Sequence, residues 1–102
     1  MYKLVFHAKA KKDIDEIARY ITDVLSNPTA AAKLVSDMVN AANGLIDLPY
    51  INSVYLPYHP LKREYRKLVV KNYIMFYYIN EKKKLVKIAR VIYSGRDHNK
   101  RL

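Results

Sequence analysis

The sequence predicts an α+β fold in which two helices form an antiparallel hairpin against one face of a small, mainly antiparallel β-sheet. Apolar residues recur at intervals of three and four in the first half of the chain, which is the spacing of amphipathic helices. In the second half they alternate with polar residues in three short runs, as in half-buried strands. The expected order is β-α-α-β-β-β, within one domain over residues 1–102.

The first strand and the first helix have local signals. A short β-prone segment, Tyr2–Phe6, is the expected first strand. From Ala8 the apolar spacing changes to that of a helix, which we expect to continue to Leu25.

The second helix starts after the break Ser26-Asn27-Pro28. Asn27 is a good N-cap, and Pro28 suits the first helical position because its missing N–H leaves no hydrogen bond unmade there. Pro49 is expected to end this helix. Residues 49–62 hold three of the four prolines and are predicted to form an ordered loop.

Three strands are predicted after the loop, over Tyr65–Val70, Tyr73–Ile79 and Leu85–Tyr93. The breaks between them are short enough for hairpins, so neighbouring strands should be antiparallel. Alternation predicts that one set of apolar residues meets the helices: Leu68, Val70, Val86, Ile88 and Ile92. The opposite face should carry Tyr65 and Lys67.

Arg90 does not fit the alternation of the last strand, because its parity places it between Ile88 and Ile92. Two explanations stay open: a β-bulge that turns the side chain outward, or burial with an acidic partner. A buried ion pair would stabilise the fold, and a ligand-binding role for Arg90 is the alternative.

The net charge of +10 lies entirely in the last 41 residues. Residues 1–61 hold six basic and six acidic side chains, whereas residues 62–102 hold thirteen basic and three acidic ones. A basic surplus confined to one segment is typical of a surface that binds a polyanion or an acidic protein. The alternative is a solvated surface that promotes solubility.

Several classes of function are excluded by composition. The absence of cysteine excludes a disulfide scaffold, a thiol nucleophile and cysteine-based metal sites. No apolar run is long enough to span a membrane, and the first residues lack the features of a secretory signal, so we expect a cytoplasmic protein. The three histidines lack metal-ligand spacing, and no glycine-rich phosphate loop is present. Neither a metal nor a cofactor is therefore expected.

Metal-free RNA cleavage is a chemistry that the basic, tyrosine-rich C-terminal part permits. It requires groups that move protons at the 2′-hydroxyl and the leaving 5′-oxygen, and cations that stabilise the charge on the phosphate. The candidate proton carriers are Tyr93, His98 and His59. The candidate charge stabilisers are Lys67, Arg66, Arg90 and Arg96. Further cations that could hold the phosphates of a single strand, with bases on tyrosine rings, are Arg63, Lys71, Lys100 and Arg101.

Three segments in this order carry a family resemblance. They are Asp13-Ile14-x-x-Ile17-x-x-Tyr20-Ile21, Tyr65-Arg66-Lys67-Leu68-x-Val70-x-Asn72-Tyr73-x-x-Phe76-Tyr77 and Arg90-Val91-x-Tyr93-x-x-Arg96-Asp97. Together they resemble the RelE/ParE superfamily, the toxins of bacterial type II toxin–antitoxin (plasmid stabilization) modules. The resemblance spans nearly the whole chain and implies a helical hairpin on a small antiparallel sheet.

The resemblance also implies function and partners. RelE-like members are ribosome-dependent, metal-free mRNA endonucleases, whereas ParE-like members inhibit DNA gyrase and are not nucleases. Both are neutralised by a cognate antitoxin, expected here to be acidic. The RelE-like pattern assigns catalysis to Lys67, Arg96 and either Tyr93 or His98. It also commonly carries arginine after the tyrosine of the third strand, where this chain has Ile74 after Tyr73.

Three functions stay open on this basis. The expected one is an mRNA endoribonuclease that inhibits translation. The alternatives are a toxin that binds and inhibits DNA gyrase, which Ile74 favours, and an antitoxin-binding module without toxic activity. Operator DNA, bound together with the antitoxin, is a further expected partner.

Overall fold

The computed structural model of the chain describes residues 1–57, 61–95 and 102. The helices and strands, in chain order, are β1 (Lys3–Phe6), α1 (Ala8–Arg19), α2 (Pro28–Asn43), β2 (Arg66–Val70), β3 (Tyr73–Asn80) and β4 (Leu85–Tyr93). A π-helical turn, Tyr20–Val24, follows α1, and a 3-10 turn, Gly44–Ile46, follows α2. The predicted α+β fold is confirmed, with two helices on a four-stranded mixed sheet. Within the described ranges, no helix is long and apolar enough to cross a membrane.

Both helices begin at side-chain caps. The Asn27 side chain accepts a hydrogen bond from the N–H of Ala30 at 3.1 Å, and Pro28 takes the first helical position, as predicted. At α1 the cap is His7, whose Nδ1 accepts from the N–H of Lys9 at 3.0 Å. Each cap satisfies a backbone donor that the first helical turn cannot pair.

The sheet has the strand order β1-β4-β3-β2. β1 runs parallel to β4, and the other two pairs are antiparallel. The pairing of β1 with β4 ends at Phe6 opposite Ile88, so the last residues of β4 extend beyond the end of β1. On the outer edge of β2, the Tyr55 N–H donates to the Tyr65 carbonyl and the Ser53 carbonyl accepts from the Lys67 N–H. Part of the predicted loop therefore covers this edge.

A β-bulge interrupts β4. Tyr77 of β3 pairs with Ile88 and Phe76 pairs with Arg90, which leaves Ala89 as an extra residue. The alternation reverses at that point, because one inserted residue moves every later side chain to the other face. Val91 therefore packs towards the helices, and the prediction that Ile92 does so is wrong.

Two apolar clusters lie on opposite sides of the sheet. The larger lies between the helices and the sheet, and it contains the predicted Leu68, Val70, Val86 and Ile88. The smaller lies on the face away from the helices, called here the open face. It consists of Ile74, Phe76 and Ile92, against which Tyr55, Tyr65 and Leu102 pack.

Candidate functional site

Lys67 lies on the open face. It pairs with Phe76 of β3 across the sheet, and Phe76 belongs to the open-face cluster. Side chains of directly paired residues lie on the same face, so the half-buried Lys67 neighbours this apolar cluster.

Tyr93 lies on the opposite face. It pairs with Tyr73, and the two rings meet edge to face with centroids 5.8 Å apart. Tyr73 packs against the core beneath the helices. The sheet therefore separates Lys67 from Tyr93, and these two members of the predicted catalytic set do not lie in one site. The other proposed catalytic residues, Arg96 and His98, lie outside the described residues, as do His59, Lys100 and Arg101.

Arg90 is held by Asp13 of α1. Its Nε and Nη2 donate to the two carboxylate oxygens at 2.7 and 2.9 Å, and the Val91 N–H donates to the same carboxylate at 2.9 Å. The hydrogen bond to Asp13 raises the pKa of the Arg90 guanidinium above its usual value. Both explanations given for Arg90 therefore hold together: a bulge precedes it, and its guanidinium is paired with an acidic partner, Asp13.

Arg66 is also engaged within the fold. Its Nη1 donates to the carbonyl of Asn52 at 2.7 Å and to that of Tyr50 at 3.4 Å, and its guanidinium lies 5.0 Å from the Tyr50 ring centroid. Nearby, the buried Tyr77 hydroxyl donates to the Pro49 carbonyl at 2.9 Å. These bonds anchor the start of the loop to the sheet, so the predicted phosphate-binding role of Arg66 conflicts with its contacts.

The two remaining described cations of the predicted phosphate set lie far apart. Lys71 is exposed in the turn before β3 and has a left-handed φ of 54°. Arg63 stacks on Tyr78, with its guanidinium carbon 4.1 Å from the ring centroid. Tyr73 and Tyr78 are five residues apart on one strand, which corresponds to about 17 Å. These two cations therefore do not belong to one phosphate site.

Ile74 is buried in the open-face cluster with Phe76 and Ile92. This is the position at which the RelE-like pattern carries arginine. An aliphatic side chain there provides neither charge nor a hydrogen-bond donor for a developing phosphorane.

A groove between α1 and the end of β4 was not anticipated. Its volume is about 550 Å³, and its apolar lining includes Ile17, Tyr20, Leu25, Tyr73 and Tyr93. Tyr20 and Leu25 remain 54% and 56% exposed. The only sequence signal was the apolar stripe of the first helix, which does not distinguish core residues from exposed ones.

Glu81, between β3 and β4, joins three parts of the chain. Its carboxylate accepts from the hydroxyls of Tyr2 and Tyr50 and from the Lys84 ammonium. These bonds, led by that from Lys84, lower the pKa of Glu81 to about 2. The bond to Glu81 in turn raises the pKa of Tyr50 to about 12. Sequence reasoning missed this cluster because its members are distant in sequence.

Over the described ranges, no group of histidine, aspartate and glutamate side chains could hold a metal ion. The described surface offers a largely apolar groove, which Asp13, Glu16 and Arg90 also line, together with exposed cations and tyrosine rings. An exposed apolar surface of this kind is typical of a protein interaction site.

Comparisons with known proteins agree with the fold. Residues 4–98 match the family model described as the ParE toxin of the type II toxin-antitoxin system, parDE. No curated protein sequence matches the chain. The structure resembles the chromosomal ParDE toxin–antitoxin system from P. aeruginosa, with a TM-score of 0.73 and 23% identity over 91% of this chain and 96% of that one.

Two further structures are similar. The archaeal RelE–RelB complex from Pyrococcus horikoshii OT3 gives a TM-score of 0.60 and 18% identity, over 93% of this chain and 97% of that one. The intact E. coli RelBE toxin–antitoxin complex gives a TM-score of 0.57 and 19% identity, over 94% of this chain and 100% of that one. At these identities the likenesses show a shared fold.

Proposed function

Because this chain belongs to the ParE toxin family of type II toxin–antitoxin systems, we propose that it acts by binding and inhibiting DNA gyrase and not by cleaving RNA. The RelE/ParE superfamily includes both activities, so the choice depends on what the sheet provides for chemistry. ParE-like action needs a binding surface only, whereas RelE-like action needs cations and proton carriers around one phosphate.

The burial of Ile74 carries this proposal. An isoleucine packed against Phe76 and Ile92 occupies the place of an arginine that would stabilise the phosphate. The nearest substitutes named from the sequence are already engaged, Arg66 with loop carbonyls and Arg90 with Asp13. Loss of a single charge-stabilising donor costs an enzyme about 10²- to 10³-fold in rate.

The antitoxin is the second proposed partner. The similar structures include ParDE and RelBE systems, and an exposed apolar groove is typical of a protein interaction site. We assign the α1–β4 groove to an apolar segment of the antitoxin. Its acidic residues would meet the basic side chains of residues 62–102, where the whole net charge lies.

The deciding experiment applies the purified protein to two assays side by side. In the first, gyrase supercoils a relaxed plasmid; in the second, ribosomes translate an mRNA whose 5′ ends are then mapped. We expect supercoiling to be inhibited and no new mRNA ends to appear. The Lys67→Ala variant should inhibit supercoiling within about twofold of the wild type.

The proposal is wrong if ribosome-bound mRNA is cleaved while supercoiling stays normal. In that case Lys67→Ala and Arg96→Ala should each reduce cleavage by about 10²-fold or more, as expected for residues that stabilise the phosphate. A protein that affects neither assay would instead be the inactive, antitoxin-binding module.

A further inference from the structure

A second cleft opens on the open face, beside the β-bulge, and is separate from the α1–β4 groove. Its volume is about 380 Å³. Lys9 contributes from the start of α1, Lys62 and Arg63 from the segment before β2, and Tyr65 and Tyr78 from the sheet side. The bulge residue Ala89 adds only a methyl group to the wall, which leaves the space open.

The charged side chains that line this cleft are all basic: Lys9, Lys62, Arg63 and Arg90. Among the described residues, no aspartate or glutamate side chain lines it. Arg90 also reaches the cleft, but its charge is offset by Asp13. Lys9, Lys62 and Arg63 form no ion pair with a carboxylate in the part of the chain that the structure describes, so no described carboxylate offsets their charges. A concave surface with unneutralised charge of one sign concentrates counter-ions of the other sign.

Planar groups accompany these charges. The rings of Tyr65 and Tyr78 meet edge to face with centroids 5.9 Å apart, and the Arg63 guanidinium stacks on Tyr78. Stacking on Tyr78 holds the Arg63 guanidinium in place. Its N–H groups have no acidic partner among the described residues, so they can donate to a ligand. Nucleobases stack on tyrosine rings and on guanidinium planes alike.

We propose that this cleft binds a nucleoside phosphate. Lys9, Lys62 and Arg63 hold the phosphate, and the base stacks on Tyr65 or on the Arg63 guanidinium. The volume lies at the lower end of the range for small-molecule sites, which suits one nucleotide. An acidic peptide would use the cations but would leave the planar groups unused. The ligand is either a free nucleotide or one residue of an unpaired strand.

Fluorescence anisotropy with two probes distinguishes these sources. One probe is a labelled adenosine triphosphate, and the other is a labelled ten-residue strand of deoxythymidine. The test variant carries Lys62→Gln and Arg63→Gln. The matched control carries Lys82→Gln and Lys83→Gln, which remove the same charge from the exposed turn between β3 and β4.

We expect at least one probe to bind, with affinity at least tenfold lower in the cleft variant and within twofold of wild type in the control. For the strand, the slope of log affinity against log salt should decrease by about 1.4 when two phosphate contacts are lost. Binding of the strand without the free nucleotide identifies an unpaired nucleic acid as the source, and the reverse identifies a free nucleotide.

Tyr65 provides an independent test of stacking. Tyr65→Phe keeps the ring and should bind like the wild type, whereas Tyr65→Leu should bind at least about fivefold more weakly. Thermal unfolding confirms that each variant is folded. The proposal is overturned if neither probe binds or if the control variant loses as much affinity as the cleft variant. It is equally overturned if a deca-glutamate peptide binds as tightly as the probes and Tyr65→Leu has no effect.

Discussion

Replacement of Asp13 by alanine should destabilise the fold far more than its position on a helix surface indicates. The Asp13 carboxylate accepts three hydrogen bonds, two from Arg90 and one from the Val91 amide. The Arg90 and Asp13 side chains are only 19% and 12% exposed. Breaking a buried ion pair by removing one partner costs 3–5 kcal/mol, and the partial exposure here favours the lower end, about 3 kcal/mol. At roughly 4–8 °C per kcal/mol for a domain of this size, Tm should decrease by roughly 12–24 °C.

Asp15 offers a matched control on the same helix. It forms an ion pair with Arg19 four residues later, and these side chains are 57% and 75% exposed. Solvent screening limits such pairs to about 0.5 kcal/mol, so Asp15→Ala should leave Tm nearly unchanged. The measurement is thermal and urea unfolding of both variants. Equal small effects would refute the role given to Asp13. So would a double variant, Asp13→Ala with Arg90→Met, in which the two losses simply add.

Three further predictions concern other parts of the molecule. The folded-state pKa of Glu81 is about 2, below its usual 4.5, so its stabilising contribution is present above pH 4.5 and is lost as the pH falls towards 2. The Tm difference between wild type and Glu81→Gln should therefore shrink between pH 5 and pH 2. Tyr77→Phe leaves the buried Pro49 carbonyl without the hydroxyl donor and should cost about 1–2 kcal/mol in urea unfolding. Leu25→Asp places a charge in the exposed apolar groove and should weaken binding of the cognate antitoxin at least tenfold by calorimetry, with Tm unchanged. Val39→Asp on the other helix is its control, and equal losses in both variants would contradict the assignment of the groove.

The elements of the fold could be predicted because each has a local cause. Asn27 and Pro28 specify the start of α2 by capping and by a fixed φ, and both effects operate within four residues. Lys71 and Asn72 alone connect β2 to β3, so antiparallel pairing followed from loop length. The end of α1 was harder to predict from local signals. The helical spacing continues to Leu25, but the turn Tyr20–Val24 is π-helical, and the spacing of apolar residues does not distinguish it from an α-helical turn.

The bulge at Ala89 could be predicted only as one of two alternatives, because its signal is a mismatch of pattern at Arg90. The mismatch is explained equally well by a bulge and by an ion pair. The pattern of β4 alone does not distinguish them, because the acidic partner, Asp13, is 77 positions away. Ile92 and Val91 are equally apolar, so exchanging their faces leaves the hydrophobic pattern of β4 nearly unchanged. In the observed arrangement, with the bulge at Ala89, the Asp13 carboxylate of α1 bonds both Arg90 and the Val91 N–H.

The same bulge explains why the candidate site was harder to predict than the fold. In an uninterrupted β4, the alternation that points Ile88 towards the helices would point Tyr93 towards the open face, where Lys67 lies. The extra residue reverses this and places Tyr93 beside Tyr73 in the α1–β4 groove. One inserted alanine thus separates a candidate proton carrier from a candidate phosphate ligand and adds an aromatic ring to the groove assigned to the antitoxin. The lysine and tyrosine named from the sequence therefore lie on opposite faces of the sheet, which supports the proposal that this toxin acts by binding its target and not by cleaving RNA.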